Sequence, residues 1–191
     1  MFMENNYVNI LPDTDRHLRE KSVDVRLPLS KKDKEVMEGL IKYVVDSRNE
    51  ELAEQYHLQA ASGLAAPQIG VNRNMIVVVT DEEDEEGNVE QKITALVNPK
   101  IVSYSEQYSY LSNGEGCLSV PETHEGYVPR HARITVEAYD YLAKKKVKFR
   151  ARGYYAIVLQ HEIDHLSGIL YYDHINKVDP YHEIADAIVI D

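Results

Sequence analysis

The most constraining feature of the sequence is a His-Glu-Ile-Asp-His segment, residues 161–165, that follows a long apolar run. Residues four apart lie on one face of a helix, with Cβ atoms about 6 Å apart, so His161 and His165 can offer two imidazole nitrogens to one divalent metal. Glu162 lies beside them as a candidate general base. Apolar residues flank the motif on both sides, which is typical of a buried helix. Two chance core histidines would leave Glu162 buried without a partner at high cost, so the pattern favours a metal site.

The composition limits the possible classes of protein. With 191 residues, 43% of them hydrophobic and 28% charged, we expect one catalytic domain over residues 1–191. The formal net charge of −11 argues against nucleic acid or an anionic membrane as the main partner. The lone cysteine, Cys117, excludes an internal disulfide and indicates a reducing compartment. Because we find no signal-peptide pattern and no apolar run long enough to span a membrane, we expect a cytoplasmic protein.

The order of the predicted elements indicates an α+β fold. Ser30 and Asp33 predict the start of an amphipathic helix, and residues 49–56 are a short second helix or an insertion. The acidic residues 81–86 are expected in a solvated loop, and the three lysines 144–146 in a hairpin turn. Short strands are predicted at residues 75–80, 93–97, 101–104, 108–111, 127–128, 134–139 and 147–150. We therefore expect antiparallel β-sheets around a central buried C-terminal helix that carries the motif and ends near Gly168, followed by an ill-defined tail at residues 171–191.

Residues 63–70, Gly-Leu-Ala-Ala-Pro-Gln-Ile-Gly, interrupt this pattern. Small residues between two glycines, broken by Pro67, predict a poor regular element but allow the backbone to approach a ligand closely. A plain loop would explain the glycines but not the absence of charged residues, so a functional interpretation is favoured.

The third metal ligand separates the classes of metalloenzyme. Tyr171 stands where a metzincin would have its third histidine, which argues against that class. Glu183 is the candidate for a thermolysin-like site, but its segment has a weak helical pattern. Cys117 remains: a Cys/His/His set leaves the fourth position open for water, as in catalytic sites, and a metal deprotonates a thiol. A buried apolar role for Cys117, or a nucleophilic one with a His/Glu dyad, stays open.

Three segments, residues 63–70, 115–119 and 161–165, resemble the three signature motifs of the peptide deformylases in order and spacing. The resemblance extends over nearly the whole chain, through residues 127–130 and up to about Lys177, and is to the larger of the two main bacterial classes. It implies removal of the formyl group from the N-terminal formyl-methionine of newly made proteins, with release of formate. It also implies one ion per chain, usually Fe²⁺, which Zn²⁺, Ni²⁺ or Co²⁺ can replace.

The resemblance further implies a role for each residue of the motifs. The metal ligands are Cys117, His161 and His165, and Glu162 transfers the proton. The side-chain amide of Gln68 and the backbone N–H of Leu118 match the positions that stabilise the oxyanion.

Other residues are expected around this centre. Glu115 and Arg130 match a pair that braces the cysteine loop in the family. Gly63 is expected to offer its backbone to an extended substrate. Ile157 and Val158 lie one turn before His161 and suit a methionine pocket, although plain core packing explains them equally well.

Three other functions stay open: a general metallopeptidase of the HExxH type, a non-catalytic metal-binding module, and a cysteine hydrolase. The expected partners are N-formylmethionyl nascent polypeptides, with transient proximity to the bacterial ribosome. We expect a monomer with no direct binding to nucleic acid or membrane, since the acidic and apolar tail at residues 182–191 gives no support for electrostatic docking to RNA.

Overall fold

A computed structural model of the chain describes residues 7–83 and 86–191. These residues form three α-helices, eight strands and three short 3-10 helices. The helices are α1 (Lys31–Ser47), α2 (Glu50–Tyr56) and α3 (Gly153–His165). The strands are β1 (Gly63–Ala65), β2 (Met75–Glu83), β3 (Val89–Tyr104), β4 (Tyr108–Leu111), β5 (Arg130–His131), β6 (Arg133–Asp140), β7 (Lys145–Arg152) and β8 (Ile188–Ile190). The 3-10 helices are Arg16–Leu18, Ala66–Ile69 and Tyr171–Asp173.

The strands form two sheets. The larger is five-stranded and antiparallel, in the order β1-β2-β3-β6-β7. The smaller has the order β5-β4-β8, in which β8 runs parallel to β4. This confirms the predicted α+β fold. The expectation of an ill-defined tail is wrong, because the tail contributes both the Tyr171–Asp173 turn and β8.

Helix α1 begins where its sequence predicts. The Ser30 hydroxyl accepts a hydrogen bond from the Asp33 N–H and the Asp33 carboxylate accepts one from the Ser30 N–H, so that both free donors are satisfied. Its buried face, which includes Leu40 and Val44, packs on β1, β2 and β3. Residues 50–56 are helical as well, with Asn49 as the N-cap.

Helix α3 lies on the opposite face of the large sheet. Ala156 and Leu159 belong to the same buried cluster as Ile76 and Leu96 of the central strands. The helix ends at His165, and the chain leaves it through Gly168, whose φ of 72° is left-handed. A Cβ on Gly168 would lie 2.5 Å from the Arg19 carbonyl oxygen, so glycine is required there for space as well as for conformation. The predicted buried C-terminal helix is confirmed.

Several strand predictions need correction. Residues 93–97 and 101–104 belong to one strand, β3, with a register shift next to Asn98, whose φ is 53°. Residues 127–128 do not form a strand. Instead, Arg130–His131 form β5, which pairs with β4. The strands predicted at residues 75–80, 108–111, 134–139 and 147–150 are present, some with longer bounds.

The acidic run and the lysine run contain more regular structure than the sequence predicts. Asp81–Glu83 of the acidic run continue β2 with exposed side chains, because they pair with the start of β3. Residues 84–85 lie outside the described part of the chain. Of the three lysines, Lys144 is in the turn with a φ of 54°, whereas Lys145 and Lys146 begin β7. Residues 63–70, predicted to be irregular, are β1 followed by the 3-10 helix Ala66–Ile69.

None of the described helices combines the length and apolar character needed to cross a membrane.

Candidate metal centre and its cavity

Helix α3 and the loop after β4 bring together the three predicted metal ligands. The ligand atoms of Cys117, His161 and His165 all lie within 4.8 Å of one another. The Cys117 sulfur is 3.4 Å from Nε2 of His165. Glu183, the alternative ligand, is an exposed residue of the tail and is not part of this cluster.

The surroundings of the two histidines suit a metal. The Nδ1–H of His161 donates to a carboxylate oxygen of Glu115 at 2.8 Å, which leaves Nε2 free as a ligand atom. Burial, together with neighbouring positive charge, lowers the pKa of His165 well below its usual value and favours the neutral imidazole that binds metals. For His161, burial alone would also lower the pKa, but contacts with Cys117 and Glu115 outweigh it and raise that pKa, so protons compete with a metal for this residue.

Glu162 is buried beside these ligands, with 4% of its surface exposed. Burial raises the pKa of its carboxyl to about 7. Among the described residues, no donor reaches its Oε2 atom. A carboxyl group that titrates near neutral pH is suited both to accept a proton and to return it.

Gln68 points its amide nitrogen into the site. Its Oε1 accepts a hydrogen bond from the Ala65 N–H at 2.9 Å, which fixes the side chain. Its Nε2 donates to the Ser119 hydroxyl at 3.2 Å and lies 3.5 Å from the Cys117 sulfur. Gln68 therefore stabilises the local loop through Ala65 and also faces the metal ligands.

Behind the cysteine loop lies a buried chain of charged groups. Arg130 donates two hydrogen bonds to the two oxygens of Glu115, at 2.8 and 2.9 Å, and both side chains are at most 4% exposed. Burial alone would raise the pKa of Glu115, but the charge of Arg130 outweighs it and lowers that pKa to about 2. Arg130 also donates to Asp164, whose carboxylate contacts His174 at 2.7 Å.

Asp164 therefore braces Arg130 and does not contact a ligand histidine. His174 was missed altogether, since it lies in the tail and no local pattern marks it.

A cavity of about 270 Å³ opens onto this centre. It is bordered by residues of all three motifs and by the two predicted pocket residues: Gly63, Gln68, Glu115, Cys117, Leu118, His161 and Glu162, with Ile157 and Val158. Arg130 is not among the lining residues and acts through Glu115. The cavity is also bordered by Leu111, Tyr154 and residues 59–62, which sequence reasoning did not identify. The Tyr154 hydroxyl donates to the Ser62 hydroxyl at 2.8 Å, so it joins α3 to the segment before β1.

Gly63 lies directly against Glu162. A Cβ added to Gly63 would be 2.7 Å from both Cγ and Cδ of Glu162, far inside ordinary contact distance. The absence of a side chain at Gly63 is therefore what makes room for the buried carboxylate.

Comparisons with known proteins show which family this chain is similar to. A family model described as polypeptide deformylase matches residues 7–181. Peptide deformylase from Oceanobacillus iheyensis is 48% identical over 86% of this chain and 87% of its own length. Peptide deformylase 2 from Bacillus subtilis is 47% identical over 96% of this chain and 97% of its own. The crystal structure of peptide deformylase from Ehrlichia chaffeensis is similar with a TM-score of 0.70 and 29% identity, over 90% of this chain and 89% of that one.

Proposed function

Since this chain belongs to the polypeptide deformylase family, we propose that the cavity beside α3 is its active site and that residues 1–191 act as one catalytic domain. The enzyme is a metal-dependent hydrolase that removes the formyl group from the N-formylmethionine of newly made polypeptides. The observation that carries the assignment of the site is the convergence of one thiol and two imidazoles next to a buried carboxyl group.

The donors of this cluster fit one divalent ion, held by Cys117, His161 and His165. When bound, the ion supplies Lewis-acid chemistry, which polarises a carbonyl group and lowers the pKa of water from about 15.7 toward roughly 7. We assign Fe²⁺ as the working ion, with Zn²⁺, Ni²⁺ or Co²⁺ able to use the same donors.

Glu162 carries the proton in this scheme. Its carboxylate takes a proton from the attacking water and delivers it to the amine nitrogen as the formyl C–N bond breaks, giving formate and a free N-terminus. The pKa of about 7 supports both steps near neutral pH. Arg130 and Glu115 hold the Cys117 loop and the His161 ring in place while this happens.

The negative charge that develops on the formyl oxygen needs donors from the protein. Gln68 has its Nε2 directed at the metal ligands, and the backbone N–H of Leu118 comes from the adjacent cavity wall. One donor of this kind stabilises a transition state by about 2.7–4 kcal/mol.

Substrate binding is assigned to the two sides of the cavity. Ile157 and Val158 provide an apolar wall for the methionine side chain. β1 is the edge strand of the large sheet, so Gly63 can add backbone hydrogen bonds to an extended peptide. Bonds to the peptide backbone do not depend on side-chain identity, which suits an enzyme that processes many proteins. We place this activity in the bacterial cytoplasm, where a monomer acts on nascent chains close to the ribosome.

The test is formate release from a short formyl-methionyl peptide by anaerobically purified protein, with and without added Fe²⁺. Glu162→Ala and Cys117→Ser should each abolish metal-dependent turnover. Glu183→Ala is the matched control and should keep it, because Glu183 lies outside the cluster.

Three results would redirect the proposal. Cleavage of internal bonds in an unformylated peptide by metal-loaded protein would indicate a general metallopeptidase. Turnover that survives chelation would indicate a cysteine hydrolase. Metal-loaded protein inert toward both peptides would indicate a non-catalytic metal-binding module.

A further inference from the structure

Two segments that are distant in the sequence meet at the side-chain amide of Gln68. Gln68 belongs to the 3-10 helix Ala66–Ile69, and Ser119 lies 51 residues later in the loop after β4. The Nε2 atom of Gln68 donates to the Ser119 hydroxyl at 3.2 Å, and the two residues are 2% and 0% exposed. Ser119 is not among the residues that line the cavity. It therefore contacts Gln68 from behind and does not reach a substrate.

The hydrogen bonds of the Gln68 amide define its orientation. A glutamine amide has one acceptor oxygen and two N–H donors that lie in one plane. The oxygen accepts from the Ala65 N–H at 2.9 Å, and one N–H is directed at Ser119. Nε2 also lies 3.5 Å from the Cys117 sulfur. Ala65 and Ser119 thus leave the second N–H directed at the metal ligands.

Both partners are needed to fix this direction. The terminal torsion of a glutamine side chain has a broad, roughly two-fold distribution, so the residue itself has little preference for one amide plane. The Ala65 N–H fixes the position of the oxygen but not the plane of the group. The Ser119 hydroxyl supplies the second fixed point, and the two together determine where the remaining N–H lies.

Ser119 is also part of the turn that carries Cys117. The Val120 N–H donates to the Cys117 carbonyl at 3.0 Å, which closes a β-turn with Leu118 and Ser119 at its centre. One turn therefore contains a proposed metal ligand, a proposed backbone donor to the oxyanion, and the residue that orients the side-chain donor. The two donors are set relative to each other by this turn.

The N-terminal arm, residues 11–13, joins the backbones of Gln68 and Ser119. The Leu11 N–H donates to the Gln68 carbonyl at 2.8 Å, and the Asp13 N–H donates to the Ser119 carbonyl at 2.6 Å. Pro12 lies between these two donors and has a fixed φ, which stiffens the connection. The main chain thus holds the two residues at hydrogen-bonding distance from each other.

We propose that Ser119 is a positioning residue of the deformylase reaction, whose hydroxyl group holds the Gln68 amide with its free N–H facing the formyl oxygen. This inference rests on the proposed function, because it takes Gln68 as a donor to the oxyanion. A donor that is already oriented needs no reorganisation when charge develops. A displacement of about 1 Å at a reacting group costs on the order of 10² in rate, so a loosely held amide would be a poor donor.

The alternative is that the hydroxyl only stabilises the folded loop. A buried N–H without an acceptor destabilises the folded protein, and the Ser119 hydroxyl would prevent this without affecting the reaction. The two roles differ in how they depend on Gln68. A positioning role disappears when the Gln68 amide is removed, which a double-mutant cycle detects.

The experiment measures kcat and KM with a short formyl-methionyl peptide. The cycle consists of wild type, Ser119→Ala, Gln68→Ala and the double variant, and Ser119→Thr is added because it keeps a hydroxyl group. Ser109→Ala is the matched control, since Ser109 is 1% exposed and its hydroxyl has no partner among the described residues. Urea unfolding and metal content are measured for every variant.

Ser119→Ala should lower kcat by about ten- to a hundredfold and leave KM within about twofold of wild type. This loss is smaller than the 10²–10³-fold expected for complete removal of a donor, because Ala65 still holds the amide oxygen. In the Gln68→Ala background, Ser119→Ala should change kcat by less than about twofold. Ser119→Thr should recover most of the wild-type kcat, and Ser109→Ala should keep all of it.

A second measurement does not depend on turnover. The side-chain amide of Gln68 is observed by ¹H–¹⁵N NMR in zinc-loaded protein, and its signals are assigned from their absence in Gln68→Ala. Its hydrogens should exchange faster with solvent in Ser119→Ala than in wild type, whereas Ser109→Ala should leave the exchange rate unchanged. Wild-type protein that releases no formate would refute the proposed function, and this measurement would still test whether Ser119 holds the amide.

Three outcomes would overturn the inference. One is a wild-type kcat in Ser119→Ala, with or without a loss of stability. Another is an equal loss of kcat on removing the hydroxyl in the presence and in the absence of Gln68. The third is a Gln68 side-chain amide that exchanges at the same rate in Ser119→Ala and in wild type.

Discussion

Replacing Gly63 with alanine should displace Glu162 and remove most of the turnover. The added methyl carbon would lie 2.7 Å from two carbon atoms of Glu162. Optimal separation between carbon atoms is about 3.5–4.0 Å, so one of the two groups must move by roughly 1 Å. Glu162 is only 4% exposed, so its displacement disturbs the buried site. Gly63 is held in β1 opposite Val78.

The size of the effect follows from this displacement. Overpacking of a buried site costs about 1–3 kcal/mol of folding free energy. A misplacement of about 1 Å at a reacting group costs on the order of 10² in rate. We therefore expect kcat/KM to fall about a hundredfold while the metal ligands keep their ion, because the three atoms nearest the added methyl group all belong to Glu162.

The assay combines formate release, metal content and urea unfolding. Gly116→Ala is the matched control: Gly116 also borders the cavity, but a Cβ there meets nothing within 4 Å. It should unfold at the wild-type urea concentration. In a Glu162→Ala background, Gly63→Ala should cost no stability, because the atoms it strikes are gone. If Gly63→Ala has wild-type kcat/KM, or destabilises equally with and without Glu162, the steric argument is wrong.

Three further changes test the surroundings of the site. Gln68→Ala should lower kcat about 10²–10³-fold with little change in KM, because one transition-state donor is lost; steady-state kinetics that show only a higher KM would contradict this role. Arg130→Met should lower the free energy of unfolding in urea by about 3–5 kcal/mol, since the buried Glu115 loses both of its hydrogen bonds from the guanidinium and Asp164 loses one, whereas Arg130→Lys should restore part of it. Cys117→Ser should reduce the metal-to-protein ratio measured by elemental analysis while leaving the unfolding of chelator-treated protein unchanged, and full metal occupancy would remove Cys117 from the ligand set.

Local sequence signals predicted the elements that depend on local interactions. Helix α1 follows from the Ser30–Asp33 capping box and a repeating apolar face, both contained within its own residues. Helix α3 follows from apolar residues on all sides of a 13-residue segment. The spacing of His161 and His165 on that helix predicts two of the proposed ligands without any tertiary contact.

The elements that were missed depend on remote partners. β8 forms because Val189 lies beside Tyr110, far away along the chain, and its own three residues give no pattern of sufficient length. Asp81–Glu83 extend β2 only because the start of β3 pairs with them. The cross-strand pairing of Arg133 with Arg152 depends on remote residues in the same way, and composition alone records only a net negative charge.

In the proposed active site, some buried charged groups are fully paired and one is not. This difference accounts for both the rigidity of the site and its reactivity. Arg130 and Glu115 satisfy each other with two hydrogen bonds, so the loop that carries Cys117 has one stable arrangement. Glu162 has an oxygen that no described donor reaches, and burial holds its pKa at about 7. A donor supplied to that oxygen would stabilise the carboxylate and lower its pKa, which would leave a weaker base. Gly63 packs against the other oxygen and against Cδ and Cγ of Glu162, so this close contact keeps the carboxyl group in the buried position that raises its pKa.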